Sequence, residues 1–429
     1  MSGIVSYLWK SGLLQNLPLQ TADGKTLRII DPGINAGSDS SLFKEAKLGI
    51  DDKIWCGDVV LCNDEDDSYS TTSTKATAES VILHVVINES TRRLHYRNTS
   101  LLNVICPKEL ISEFEAAEQH RSPFPCAKAI TRLPNIQLHC YLSRLLTERI
   151  EEKTKIIERI FAECDRRWDD ALLKVVIRSF GFGIQSTIFE KWANILNTQA
   201  LGKHRDNLTQ IEAIMFGQAG LLEEESIPYY YREFAIKSEY YNELKREFCF
   251  LSNKFGLESI DNKMWGNSNA TPHLRIARIA SLYYLNRLTI SGITAANTLT
   301  EIYRLFSHPL NGYWQNHTCF GGTETGGNGC MRQKQVDVII INSIVPVLYI
   351  YGKYRKEERF CGMAEDLLHQ IEPEENSIIR RWREQGIRID CAADSQALLH
   401  LSRSYCRATN CISCPFVYHY IKERLANKP

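Results

Sequence analysis

The chain is short of most features that would place a protein at once. It has no charge excess of either sign, with 51 Lys and Arg against 51 Asp and Glu. No global basic field therefore gathers nucleic acid, and any such role needs a local basic groove. Long hydrophobic runs are missing too. The most apolar stretch, residues 336–351, is interrupted by Asp337, Asn342, Ser343 and Pro346. It falls short of the roughly 20 residues a membrane-spanning helix needs, so it reads as buried core. Residues 1–14 carry Lys10 inside their only apolar patch and offer no signal-peptide core. These absences point to a cytoplasmic protein that does not engage a membrane. Ser-His-Asp, H-E-x-x-H and nucleophile-elbow patterns are absent. No fixed-period repeat suggests a solenoid, and no Gly/Ser or charge-block linker separates the parts.

Cysteine, by contrast, is plentiful: 14 residues scattered through 429 without a repeating framework, a usage that favours reduced thiols over disulfides. A chain of this length exceeds one ordinary core and implies two to three domains. Its 44% hydrophobic and 24% charged content is that of a folded globular protein.

Patterning divides the chain near residue 110. An amphipathic helix is expected over residues 4–14, from Val5, Leu8, Trp9 and Leu13, and a strand over 27–30 after the Thr21-Ala22-Asp23-Gly24 turn. Residues 46–50 and 54–61 read as a hairpin joined by Asp51-Asp52-Lys53, followed by a polar stretch over 63–79. The near-continuous apolar run Val81-Ile82-Leu83-His84-Val85-Val86-Ile87 marks a strand buried on both faces, with His84 as a core histidine. Residues 92–97 and 101–105 fit a further pair of strands. Beyond Pro107 the period becomes helical, most clearly over 137–166, then over 229–255, 273–288 and 336–351 among others. The expected class is α+β: a mixed sheet domain with a flanking helix over residues 1–110, then a mainly α-helical domain over 111–429.

Three clusters could carry chemistry. Cys406, Cys411 and Cys414 form C-x4-C-x2-C, three thiols that can converge on zinc or an iron–sulfur cluster if a fourth ligand joins them. Cys391, His400 and His419 are the candidates for that place, and spacing does not choose among them. The glycine-rich stretch 321–329 lacks the Lys-Ser/Thr ending of a P-loop and reads as a loop between helices. Arg275, Arg278 and Arg287 lie beside Ile276, Ile279, Leu282 and Leu285, where arginines more often pair with acids than bind phosphate.

Ordered landmarks along the chain resemble the uncharacterised bacterial family known as domain of unknown function 2851. They include Leu8-Trp9, Trp55-Cys56-Gly57-Asp58-Val59, the strand at 81–86, Phe180-Gly181-Phe182, Phe216-Gly217-Gln218-Ala219-Gly220, Leu274-Arg275-Ile276-Ala277, Ile341-Asn342, Tyr351-Gly352, Ser395-Gln396-Ala397-Leu398 and the cysteine cluster. The resemblance implies G-P-D-F before the hairpin, W-x-G-N-V-E-I-H on its second strand and a His-rich loop before V-I-L-H-V-V. That set is similar to a restriction-endonuclease-like core of the PD-(D/E)xK type, in which an aspartate and an acid two residues from a base hold a divalent ion. Here Leu42-Phe43 stands in place of Asp-Phe, leaving Asp39 as an offset substitute. Val60 takes the glutamate position and Cys62 the histidine position, and no histidine remains over 63–80.

The expected function is therefore a non-catalytic binding or scaffolding protein with a degenerate nuclease-like sheet, with nucleic acid or another protein as partner. Two alternatives stand beside it. One is a metal-dependent nuclease using a relocated acidic site of Asp39, Asp58 and the acidic run from Asp64 to Asp67. The other is a structural helical interaction protein whose C-terminus is stabilised by a metal.

Overall fold

Period-two alternation at the N-terminus and period-3.6 patterning beyond it give the chain an α+β architecture. The computed structural model describes residues 7–11, 14, 19–21, 24–35, 42–62, 80–86, 95–96, 99–100, 102–105, 126–181, 185–266, 272–296, 298–310, 312–323, 331–407, 411 and 413–426. They fall into two compact units. One comprises Met1–Leu145, Glu375–Ile389 and Ala397–Pro429; the other comprises Leu146–Glu374 and Asp390–Gln396.

The first unit is built on a mixed sheet. Its strands are β1 (Leu19–Gln20), β2 (Thr26–Asp31), β3 (Ile34–Asn35), β4 (Leu42–Ile50), β5 (Lys53–Cys62), β6 (Val81–Val86) and β7 (Leu102–Ile105). They lie in the order β1-β2-β4-β5-β6-β7, with β3 also paired to β4. Pairing is antiparallel from β1 through β5 and parallel between β5, β6 and β7. The hairpin expected from the Asp51-Asp52 turn is the β4–β5 pair; Asp51 takes a positive φ there and its carboxylate accepts from Thr26 N at 3.0 Å. The residues around 101–105 do not pair with those around 92–97, as their proximity in sequence had suggested. Leu102–Ile105 instead joins β6 in parallel, and His95–Tyr96 pairs separately with Thr99–Ser100.

One face of the sheet carries the core. Ile29, Phe43, Leu48, Val59, Leu61, Leu83 and Val85 are buried with Leu8 and Trp9 from the N-terminal helical turn and with Val417, Tyr420 and Ile421 from the helix Val417–Ala426. At about 1.5–3 kcal/mol for each large apolar side chain, those last three residues contribute on the order of 5 kcal/mol to holding the C-terminal helix on the sheet. Trp9 also donates its indole N–H to the Pro32 carbonyl at 2.9 Å, which satisfies its one polar atom.

In the second unit, helices bury a continuous core of large side chains that includes Phe189, Trp192, Phe216, Phe306 and Phe320. Side-chain oxygens of Asn197, Asn207, Ser238, Thr289 and Thr298 accept from the first-turn N–H groups of successive helices, which fixes where each begins. The stretch 229–255, which reads as one helix, is broken at Ser238. That residue turns extended and caps Glu239–Phe255, while Arg232–Lys237 stands apart as a short helix.

The apolar stretch around Pro346 belongs to a helix running from Gln333 to Arg355, 23 residues, which is long and apolar enough to cross a membrane, contrary to the expectation from its interruptions; 67% of its most apolar window is buried inside the protein. Its middle turn, Ile340–Ile344, is a π-helix in which Val345 N–H bonds Ile340 O. The next bond of that series would run from residue 346 to Ile341 O, and proline has no N–H to give. Lys153 takes its place. Its Nζ donates to Ile341 O at 3.1 Å, to Asn342 Oδ1 at 3.0 Å and to Gln396 Oε1 at 2.7 Å.

Candidate functional site

Strand β5 is where an acid and a base were expected, so its neighbours decide what the sheet can do. The β4–β5 ladder breaks between Phe43 and Ala46, with Glu45 at φ 57°, and the β5–β6 ladder shifts between Asp58 and Val59. Such bulges release backbone groups from the ladder. Asp58 collects them. Its Oδ1 accepts from Glu45 N at 3.2 Å and its Oδ2 from the Ser80 hydroxyl at 2.6 Å, while its own N–H donates to Ser80 O at 2.7 Å. Gly57 permits this approach, because a Cβ there would come within 2.5 Å of Ser80 O.

Two residues on, Val60 is only 5% exposed and lies between Leu42 and His84 across the ladders. His84 is buried, and burial lowers its pKa, so the ring stays neutral. Cys62 pairs with Val86 at the end of β5. The Cys62 side chain, Asp39 and the acidic run 64–67 lie outside the described residues. The described part of the strand therefore offers one carboxylate with both oxygens engaged, a valine and a neutral imidazole. A hard divalent ion is ordinarily held by one or two carboxylates together with further oxygens, and the described residues here present only one carboxylate.

The C-terminal cysteines have company that spacing did not reveal. Cys126, at the start of the helix Ala127–Thr131, lies near enough to Cys411 and Cys414 for their charges to interact, and Cys406 interacts in the same way with Cys126, Cys411 and Cys414. Cys411 and Cys414 interact with each other across a turn closed by Cys414 N to Cys411 O at 3.0 Å. All four are free thiols and half-buried. Burial and mutual repulsion push Cys126 up to about 12 and Cys414 to about 11, and raise Cys406 as well.

Of the expected fourth ligands, His419 Nε2 is 2.9 Å from the Tyr141 hydroxyl and His400 Nδ1 is 3.3 Å from Ser404 Oγ. Cys391 belongs to the other unit, where its sulfur meets His369 Nδ1 at 3.6 Å and Asp394 Oδ2 at 3.5 Å. Burial raises the Cys391 pKa, which disfavours the thiolate form of that pair. Among the described residues no three His, Cys, Asp or Glu side chains are already arranged to hold a metal ion.

The helical unit holds polar groups that sequence reading passed over. Glu212, on the helix Leu208–Gln218, accepts from Tyr240 Oη at 2.8 Å, and Trp314 Nε1 in turn donates to Tyr240 Oη at 2.8 Å. Burial pushes Glu212 up to about 7 against those two donors. His273 lies against Phe216, Trp314 and Phe320 with neither ring nitrogen partnered among the described residues, and burial lowers it to about 3. The arginines expected to face acids bond backbone oxygens: Arg275 to Phe180 O and Gly181 O, Arg278 to His308 O, and Arg287 to Leu305 O. The same unit has an open cleft of about 950 Å³. It is lined by Arg167, Lys203, Arg205, Arg355 and Arg359 against Asp169, Asp170 and Glu357. In it the Arg205 guanidinium lies 5.0 Å from the Tyr283 ring centre and that of Arg359 4.5 Å from Phe360.

The sequence profile of a family described as a protein of unknown function, DUF2851, matches residues 3–377. The chain belongs to that family. No curated protein and no solved structure matches it. The DUF2851 match takes in β5, the π-turn before Pro346 and Cys126. It stops short of residues 395–398 and of Cys406, Cys411 and Cys414, which the resemblance had included.

Proposed function

We propose that this DUF2851 chain is a non-catalytic nucleic-acid-binding protein whose N-terminal sheet is a nuclease-like scaffold without a working metal site. The observation that carries the non-catalytic half is the state of β5. Asp58 spends both carboxylate oxygens on Glu45 N and Ser80 Oγ, and Val60 is packed where the second acid would stand. Among the described residues a metal-activated water would find one hydrogen-bonded carboxylate there and no second acid beside it. The binding half rests on the cleft in the helical unit. A balanced overall charge demands a local basic groove, and here five Lys or Arg meet three acids; Arg167 pairs with Asp170, and Arg355 and Arg359 with Glu357, which leaves Lys203 and Arg205 as the excess positive charge. Phe360 beside them, half-buried under the Arg359 guanidinium, adds an aromatic ring of the kind on which unpaired bases stack.

The test uses the full chain with labelled single-stranded DNA or RNA in Mg²⁺ or Mn²⁺. The expected result is binding that weakens as salt rises, falls about tenfold in an Arg205→Glu, Arg359→Glu double variant, and leaves the strand uncut. Metal-dependent cleavage that disappears in Asp39→Ala overturns the non-catalytic half. Absence of salt-dependent binding overturns the other.

A further inference from the structure

Cys126, Cys406, Cys411 and Cys414 bring soft ligands together from distant parts of the sequence. Three come from the last turn of the π-helix Leu401–Cys406 and the loop after it, and the fourth from the start of the helix Ala127–Thr131. That short helix packs on the helix Val417–Ala426, with Ala129 sharing the sheet's core with Val417, Tyr420 and Ile421 and with Arg132 paired to Glu423. Cys126, Cys411 and Cys414 pack against the edge of the same core. The fold thus brings Cys126, Cys411 and Cys414 to the core shared by the sheet and these two helices.

We infer that Cys126, Cys406, Cys411 and Cys414 form a four-thiolate metal centre that clamps the C-terminal segment onto the sheet, with Cys126 as the ligand missing from C-x4-C-x2-C. Three further features fit it. Every one of the six pairs among these sulfurs is close enough for charge interaction. The cation of Arg144 acts on Cys414 and offsets part of the negative charge that thiolates would bring. The backbone on either side of Cys414 is fixed by Cys414 N–H to Cys411 O at 3.0 Å and Val417 N–H to Cys414 O at 3.2 Å, which ties the two local thiols to the start of the helix. Such a donor set suits zinc in tetrahedral coordination or an iron–sulfur cluster, and excludes Mg²⁺ and Ca²⁺, which need oxygen. As they stand no three of these side chains are arranged to hold an ion, so binding one requires the four sulfurs to draw together.

The experiment is metal and acid-labile sulfide analysis of the full chain, purified anaerobically without chelator and, in parallel, reconstituted with Zn²⁺ or with iron and sulfide. Stoichiometric zinc identifies a single-ion site. Iron with sulfide and visible charge-transfer absorption identifies a cluster. Either result supports the centre when Cys126→Ser loses most of the metal and Cys140→Ser, at an exposed cysteine, keeps it. Because Cys126→Ser could fail to fold, thiol titration of the native wild type provides a second reading, in which a strong chelator should expose four additional reactive thiols. No metal after reconstitution, full retention in Cys126→Ser, or no newly reactive thiols would overturn the inference.

Discussion

Asp58 in the sheet and Glu212 in the helical unit are both buried carboxylates, 8% and 5% exposed, yet they live differently. Asp58 receives a backbone N–H and a hydroxyl on separate oxygens. Glu212 relies on the Tyr240 hydroxyl, backed by the Trp314 indole, and burial outweighs both. The difference follows from the backbone. A bulged strand leaves N–H groups outside its ladder and can aim them at a side chain, whereas a helix interior spends every N–H on its own carbonyls. A carboxylate on a strand irregularity therefore becomes an anchor, and one on a buried helix face becomes a group that responds to pH.

The largest expected effect comes from making the sheet resemble the helical unit. Val60→Glu places a carboxylate at a closed position in β5, and the expected cost is about 3 kcal/mol or more at pH 8, partly relieved in acid as the group protonates. Urea denaturation reads this directly; unchanged stability would mean that Val60 borders an open cleft.

The second contrast lies in pH. Glu212 titrates near 7 when folded against an ordinary 4.5, so the native state holds the extra proton between those values. The stability associated with it is present below pH 4.5 and lost as pH rises through 7. The advantage of Glu212→Gln over the wild type should therefore grow by roughly 3 kcal/mol from pH 4.5 to 8. His273, lowered to about 3, has the opposite sign: stability falls as pH drops below 6.5, and His273→Leu should gain on the wild type in acid. Melting curves of both variants across that range decide the matter, and parallel profiles would contradict the assignment.

Next in size is the helical unit's own anchor. Lys153→Met strips the donor from Ile341 O, and the expected loss is about 2 kcal/mol; Pro346→Ala in the same background should recover part of it by supplying an N–H. Failure of Pro346→Ala to help would argue that Lys153 acts through Gln396 instead. The smallest effect should be the sheet pair: Asp58→Asn and Ser80→Ala each cost about 1–2 kcal/mol and are strongly non-additive in a double-mutant cycle. Full additivity would show that the bulge holds without their hydrogen bond.

Local pattern alone was enough for the β4–β5 hairpin and the apolar strand β6. Each is written within a few residues, in the alternation of side chains and the chemistry of a turn. The interruption at Pro346 was legible too, but its remedy was not, because Lys153 reaches Ile341 O from another helix. Tertiary structure alone decided that Asp58 is an anchor, since its partners sit on neighbouring strands whose bulges no spacing announces. It also decided that Leu102–Ile105 joins the main sheet, that the helix Val417–Ala426 returns to cover that sheet, and that Cys126 stands beside Cys406, Cys411 and Cys414. Contacts between residues hundreds of positions apart depend on which apolar faces bury each other, and a single sequence shows those faces without saying which ones meet.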